Sequence, residues 1–547
     1  MRNVREVLAD TLGSLGIDTV FGVMGATNQD LLCHLAQDPA IRVVHARHES
    51  AAVSMADGYA RFSGRPGCAS VTAGPGLSNT ATALAVARSH GSPVLLVAGD
   101  TSTSGSRNPQ QLDQDSFGHL MAGSSGTVRC ASDLPRVLGE AAKALAAHRP
   151  YVLNLPVDIQ ISPASRLAAV SPPLMPHPVR PDADSTATAA ELLAAAARPA
   201  VLAGRGALHA GSALADLAGV LGAALATTLP AHGLFAGNRL NTGLAGALGS
   251  GNATRVLTES DVLLAAGTSL HPLTGITPDG VRRIIRLDTD QNALAGHGPQ
   301  DVTLHGDTTL GAQALHEAVS SLLSGRPTSA PWAEPEPVAI PADYLDTSTT
   351  LDPRHALAVL RAMLPPDAGL VIGGGQAAVV SCQMLPATDT ARWTCASTDF
   401  GAIGQALPVA IGACFDHPTR RVVHLTGDGD LMMSLADLHT AVRYDLPLTV
   451  VILNDQGFGQ ERQDLHRKSL PAAHAQYPAP DFAALANAMG AQGHRIQSPT
   501  ELPLLAHAFP ASPAPVVIDV RTNPEYHNPA CEDIAHVMSA QPTPTSE

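Results

Sequence analysis

The chain has 547 residues, 45% of them hydrophobic and 15% charged, with a formal net charge of −15. This composition excludes an intrinsically disordered chain, and without a basic patch interleaved with aromatics it offers no footing for nucleic acid. The length exceeds what one hydrophobic core supports and predicts about three or four domains.

Taken in order, the first element is "MRNVREVLADTLGSLGI", an amphipathic helix that carries acids and lacks the apolar centre of a signal peptide. Short apolar runs then alternate with longer Ala- and Leu-rich helical stretches. The first block holds "DTVFGVM", "IRVVHA", "GCASVTAG", "SPVLLVAGD" and "YVLNLP". A proline-rich gap, "SPPLMPHPVRPDADS", follows at 171–185. The second block holds "PAVLAG", "DVLLAAG" and "RRIIRLD", and ends in a longer gap at 324–344. The third holds "GLVIGGG", "RRVVHLTG", "LPLTVVILN" and "APVVIDV", and the chain ends on "AQPTPTSE", read as a frayed tail. The runs are near-continuous in Val, Ile and Leu rather than alternating, as expected of strands covered on both faces. They predict parallel sheets in an α/β fold. The gaps read as extended linkers and divide the chain into blocks at 1–170, 186–325 and 345–530.

The seven cysteines form no C-x-x-C pair and no zinc-like cluster with His, so they read as buried free thiols in a reducing compartment. No apolar stretch of membrane-spanning length occurs. The expectation is a cytoplasmic protein with no membrane contact.

The chemistry-bearing stretch is "VVHLTGDGDLMM", which ends an apolar run on Asp428 between Gly427 and Gly429. Gly-Asp-Gly alone is usually a turn. Here "LMMSLADLHTAVRY" follows with helical spacing, then the apolar run "LPLTVVILN" ending on Asn454. Strand, helix and strand make one right-handed crossover. That arrangement sets Asp428 and Asn454 at neighbouring strand ends, the edge where open α/β sheets bind ligands. A carboxylate oxygen, an amide oxygen and a backbone carbonyl suit a hard cation such as Mg²⁺. Gly427 and Gly429 permit close approach, and a helix starting near Leu431, beside Asp430, offers N–H groups to phosphate oxygens. Upstream, Gly373, Gly374 and Gly375 fit either close approach to a phosphate group or a plain glycine loop.

These residues resemble the thiamine diphosphate (ThDP)-dependent enzymes, in the acetolactate synthase and 2-oxo acid decarboxylase branch that includes benzoylformate decarboxylase-like proteins. The resemblance rests on "GDGD…ILNDQG", on "VVHARHESAAVSMADGYARFSG", on "VTAGPGLSNTATALAVARSHGSPVLLVAGD" and on "FGAIGQALPVAIGA". It spans nearly the whole chain and implies three consecutive doubly wound parallel-sheet domains: pyrimidine-binding, central and diphosphate-binding. It implies Mg²⁺ held by Asp428, Asn454 and the carbonyl of Gln456. It places the Gly74-Pro75-Gly76 turn, Gly373–Gly375, Gln376, Gly401, Ile403, Gly427, Gly429, Asp430 and Leu431 around the cofactor.

The resemblance also assigns Glu49 as the carboxyl that hydrogen-bonds the aminopyrimidine and supports removal of the thiazolium C2 proton. For that work a buried carboxyl with a raised pKa is expected. Outside the motif, Glu49 reads as a surface acid pairing Arg47 or Arg61, and Ile403 as a plain core residue. Substrate-side candidates are Gln114 and His119.

Three departures from the synthases stand out. Ala377 and Ala378 replace their His-Gln, Leu112 falls near their Phe-Gln-Glu stretch, and "GTSLHPLTG" lacks their flavin-binding Arg. FAD is therefore not expected.

The implied activity is decarboxylation or cleavage of a 2-oxo acid or related carbonyl, with or without transfer of the acyl unit to an acceptor. The alternatives are a ThDP-dependent C–C lyase or hydrolase without decarboxylation, and a non-catalytic ThDP-binding paralogue. Because Glu49 and Asp428 lie in different blocks, the resemblance implies a homodimer or homotetramer with the active site between chains.

Overall fold

The computed structural model describes residues 2–105, 108–165, 177–249, 251–274, 283–294, 301–324, 332, 343–510 and 512–539. The proposed tail lies outside these residues, as do most of the second linker and part of the first. Of the second linker, Trp332 is described: its indole N–H donates to the Pro199 carbonyl at 2.8 Å, against the central block.

Three parallel six-stranded sheets carry the fold. In the first, the spatial order is Arg42–His45, Thr19–Gly22, Gly67–Val71, Val94–Asp100, Tyr151–Pro156, Ser125–Thr127. In the third it is Trp393–Cys395, Gly369–Ile372, Val422–Gly427, Leu448–Asn454, Val516–Arg521, Gln492–Ile496. Numbered along the chain, both orders read 2-1-3-4-6-5. The central sheet reads 3-2-1-4-5-6, with Pro199–Ala203 and Val262–Ala266 as neighbours at its middle. One two-residue antiparallel pair, Arg2–Asn3 with Pro163–Ala164, ties the ends of the first domain together.

Every apolar run quoted above is a strand, as expected of segments buried on both faces. The predicted crossover helix differs from expectation. "LMMSLADLHTAVRY" is broken into a short helix Asp428–Met432, a 3₁₀ turn Leu435–Asp437 and a helix Leu438–Arg443. The helix thus begins at Asp428 itself rather than near Leu431, and Leu431 packs into the core. The strand before it extends to Gly427.

The first and third domains share one hydrophobic core, joined by the crossing of helices Glu49–Ser63 and Ala406–Cys414. Two glycines make the approach possible. A Cβ on Gly58 would stand 2.0 Å from the Val409 carbonyl oxygen, and one on Gly412 would stand 1.9 Å from that of Met55. Either would force the backbones apart.

Candidate active site

In the third sheet the strand order reverses between Gly369–Ile372 and Val422–Gly427, the position at which doubly wound sheets bind ligands. A cavity of about 740 Å³ opens there. It is lined by Gly374, Gly375, Gln376, Gly401, Ile403, Gly427, Asp428, Gly429 and Asp430 from the expected set. Gly375 has φ +66°, with open space where a Cβ would stand, and it begins the helix Gly375–Met384 without a side-chain cap. The short helix at Asp428 likewise begins uncapped, behind Gly427. Two sets of free backbone N–H groups therefore border the cavity, an arrangement suited to phosphate oxygens.

Asp430 acts within the wall. Its Oδ2 accepts from the Gly374 N–H at 2.8 Å and the Thr426 hydroxyl at 2.9 Å, and its Oδ1 from the Gly404 N–H at 2.5 Å. One carboxylate so joins the glycine turn, the strand end and the loop carrying Ile403. Gly373 sits behind this tie, where a Cβ would meet Asp430 Oδ2 at 2.2 Å. Ile403 is half-buried and leans on Gly374, whose Cβ position lies 2.4 Å from Ile403 Cγ2. It is an aliphatic wall of the cavity rather than a plain core residue. Leu431, expected at the cofactor, does not line the cavity, because the early helix start turns it inward.

Asp428 is fully buried. Its Oδ2 accepts from the Gly457 N–H at 3.0 Å, while Oδ1, in a setting shared with the Tyr477 hydroxyl and the Asp455 carboxylate, makes no well-formed hydrogen bond among the described residues. Burial first, and then the neighbouring Asp455 carboxylate, push its pKa up to about 7. A buried carboxylate with one orphaned oxygen fits a bound cation that would supply the missing partner. Asn454 is buried, donating through Nδ2 to Asp519 at 2.8 Å and accepting through Oδ1 from the Gln456 N–H at 3.3 Å. Gln456 has φ +59°, and its carbonyl accepts from the Tyr477 N–H at 3.1 Å. These are hard oxygen donors and fit Mg²⁺. Among the described residues no group of three or more His, Cys, Asp or Glu side chains could hold a metal. The expected set falls outside that description because only one of its donors is a carboxylate.

The first domain holds a separate cluster. Glu49 opens its helix half-buried, and its Oε2 accepts from Asn79 Nδ2 at 3.0 Å. It pairs with neither nearby arginine. Arg47 meets His439 at 2.6 Å, and Arg61 meets Asp57 and Asp399. The full burial expected of Glu49 is not reached within one chain. Pro75 and Gly76 lie in the adjoining turn, where a Cβ on Gly76 would stand 3.8 Å from Glu49 Oε1.

Gln114 is 2% exposed within one chain. It accepts from the Gly74 N–H at 2.9 Å and donates to the Gly99 carbonyl and Asn154, so its polar atoms are all in use. Gly74, at φ +61°, is the residue it fixes. His119 lies exposed on its helix, with Nδ1 2.9 Å from the Asp115 carbonyl. Neither reaches the cavity, which takes no residue from the first domain.

With this geometry in place, three family models match, described as the thiamine pyrophosphate enzyme N-terminal TPP binding domain at residues 2–118, central domain at 186–315 and C-terminal TPP binding domain at 373–520. The chain belongs to the thiamine diphosphate-dependent enzymes. The protein named "Probable 2-ketoarginine decarboxylase AruI" from Pseudomonas aeruginosa is 30% identical over 518 residues, covering 91% of this chain and 90% of that one. An acetolactate synthase of Mycobacterium bovis is 29% identical over 549 residues, covering 94% and 87%. A Rhodococcus jostii thiamine diphosphate-dependent 4-hydroxybenzoylformate decarboxylase has the same fold, with a TM-score of 0.80 at 24% identity over 95% of this chain and 99% of that one. As a ThDP-dependent enzyme, the chain carries its pyrimidine and diphosphate domains in the expected order, with the central domain between them.

Some site residues gave no sequence signal. Asn79, the partner of Glu49, is one Asn in a Ser-Asn-Thr run. His271 lines the cavity from the central domain. Asp399, also in the lining, meets cations from both other domains. Nothing local to "STDFG" announces contacts made across 194 and 338 residues of chain.

Proposed function

We propose that this ThDP-dependent enzyme decarboxylates a 2-oxo acid, using Mg²⁺, in a cytoplasmic homodimer or tetramer whose active sites form between chains. The observation that carries this reading is the division of the site. Glu49 and the Gly74-Pro75-Gly76 turn belong to the first domain, while every residue lining the cavity belongs to the central or third. Exposed apolar side chains at the cavity, Phe400 at 57% and Phe458 at 38%, support a covering second copy.

When bound, ThDP would supply a nucleophilic carbon and an electron sink for loss of CO₂. The chain's part is to hold and orient. Asp428, Asn454 and the Gln456 carbonyl would hold Mg²⁺, and the helix starts at Gly375 and Asp428 would hold the diphosphate. Ile403 would pack against the cofactor, the Gly401 carbonyl would accept from its amino group, and Glu49 would hold the proton at its ring nitrogen.

Decarboxylation is favoured over synthase activity because Ala377 and Ala378, both lining the cavity, replace the bulkier His-Gln. The rest of the lining includes apolar Leu248, Leu273 and Ile534, and Glu461, for which no ion-pair partner is found among the described residues. The test is CO₂ release from a panel of 2-oxo acids with cationic, aromatic and small aliphatic side chains, in the presence of ThDP and Mg²⁺. Release from at least one member, lost without Mg²⁺, is the expected result. A C–C cleavage product without CO₂ from any member would favour the lyase or hydrolase reading.

A further inference from the structure

The loop between strand Trp393–Cys395 and helix Ala406–Cys414 carries Gly401 and Ile403, yet it has no helix or strand of its own. Its geometry depends on pins. Within the third domain the Ala396 N–H donates to the Ile372 carbonyl at 2.9 Å, the Ser397 hydroxyl to the Gly373 carbonyl at 2.7 Å and the Gly404 N–H to Asp430. At the loop's end Gln405 accepts from Ser50 and Ser54 of the first domain at 3.1 and 2.7 Å. Between them stands Asp399, its side chain 6% exposed. Asp399 meets Arg61 at 2.9 Å and His90 at 2.9 Å, both from the first domain, and Arg205 at 3.1 Å from the central domain.

The partners are themselves fixed. Arg61 is forked onto Asp57 at 2.8 and 2.7 Å and reaches Thr394 at 3.1 Å. Arg205 also donates to the carbonyls of Ser89 and His90, and the Ser89 hydroxyl donates to the Asp399 carbonyl. Two arginines thus face two carboxylates, with His90 as a further donor, at the junction of all three domains. Of this cluster only Asp399 lines the cavity.

We propose that Asp399 is a positioning residue, through which Arg61 and Arg205 of the other two domains set the Gly401–Ile403 segment against the cofactor. This rests on the ThDP reading above. It gives the central domain a part in cofactor geometry that its own lining residues do not supply. Such a buried carboxylate cannot lose its partners without moving, since an unpaired buried charge is strongly disfavoured. Displacement of a positioning segment by about 1 Å can cost on the order of 10²-fold in rate.

The test uses full-length Asp399→Asn and Arg205→Met, singly and together. Three readings are taken: thermal midpoint, peptide-resolved amide hydrogen exchange, and C2–H/D exchange of ThDP at saturating ThDP and Mg²⁺. The expected result is faster amide exchange over residues 397–405 and C2–H/D exchange slower by roughly 10- to 100-fold in each single variant. The double variant should be no worse than the worse single one. Should Asp399→Asn fail to fold, Arg205→Met, which lies outside the cavity lining, carries the test. A lowered midpoint with parental C2–H/D exchange per bound cofactor would reduce the cluster to a brace and overturn the proposal. If the parent itself showed no C2–H/D exchange, the ThDP reading would fail instead, while amide exchange over 397–405 would still report whether Asp399 and Arg205 pin the segment.

Discussion

The first and third domains have the same strand order, yet the residues that follow their strands are built to opposite rules. At the third, a fully buried Asp428 with an orphaned oxygen and two uncapped helix starts leave charge and hydrogen-bonding capacity unfilled. At the first, Gln114 saturates the Gly74 turn and Asn79 holds a half-buried Glu49 at the domain surface. On the proposed reading, one end would take an anion and a cation from solution, and the other would present a single carboxyl outward as a half-site for another surface to complete. One fold would therefore supply two different kinds of ligand contact because the residues after its strands differ, while the strands themselves do the same work.

The largest test of this contrast is at the third domain. Asp428→Ala should abolish retention of ThDP through desalting at low Mg²⁺, a loss of at least about 10²-fold in affinity. Calorimetric titration checks it, and parental affinity would remove the metal assignment. At the first domain, Glu49→Gln should retain ThDP yet slow C2–H/D exchange by about 10²–10⁴-fold, or roughly 3–5 kcal/mol of barrier. If exchange stays within a fewfold of the parent, Glu49 is only a partner of Asn79.

The joint between the domains comes next. Gly58→Ala should lower stability by about 1–3 kcal/mol, because its Cβ would press on the Val409 carbonyl. Unchanged thermal unfolding would mean that the helices Glu49–Ser63 and Ala406–Cys414 do not cross so tightly. Gln114→Ala should cost about 1–3 kcal/mol by stranding the Gly74 N–H, with KM unaltered. A raised KM at parental stability would restore a substrate role to it. His119→Ala should stay within about 0.5 kcal/mol and leave kcat unchanged.

The same contrast explains what the sequence made legible. Interior strands such as Leu448–Asn454 are buried on both faces and read as unbroken apolar runs. Edge strands mostly do not, Arg42–His45 in "IRVVHA" being the exception. Ser125–Thr127, Asn241–Leu244, Val302–His305, Trp393–Cys395 and Gln492–Ile496 lie at sheet edges and are short or polar, so they passed unnoticed. Interior Ala224–Thr227 was missed because "ALAT" carries no β-branched run. In the site, the glycines and Asp428 were visible because strand, turn and helix are contiguous in sequence. The ties of Asp430 to Gly374 and Gly404 were not, because they join segments 56 and 26 residues apart in sequence, and neither was the meeting of Arg61, His90 and Arg205 on Asp399, because those contacts exist only after three domains have docked. The bonds of Gln114 to Gly74, Gly99 and Asn154 were likewise not legible, because they join separate turns and strands of the first domain.

The central claim is that each active site takes Glu49 from one chain and Asp428 from another. Glu49→Gln and Asp428→Ala chains, carrying different affinity tags, can be co-expressed and the mixed dimer isolated. If the site forms between chains, the mixed dimer contains one intact site and recovers about half the parental activity, though each variant alone has almost none. If both residues serve a site within one chain, the mixed dimer is as inactive as its parents, and that result would contradict the account.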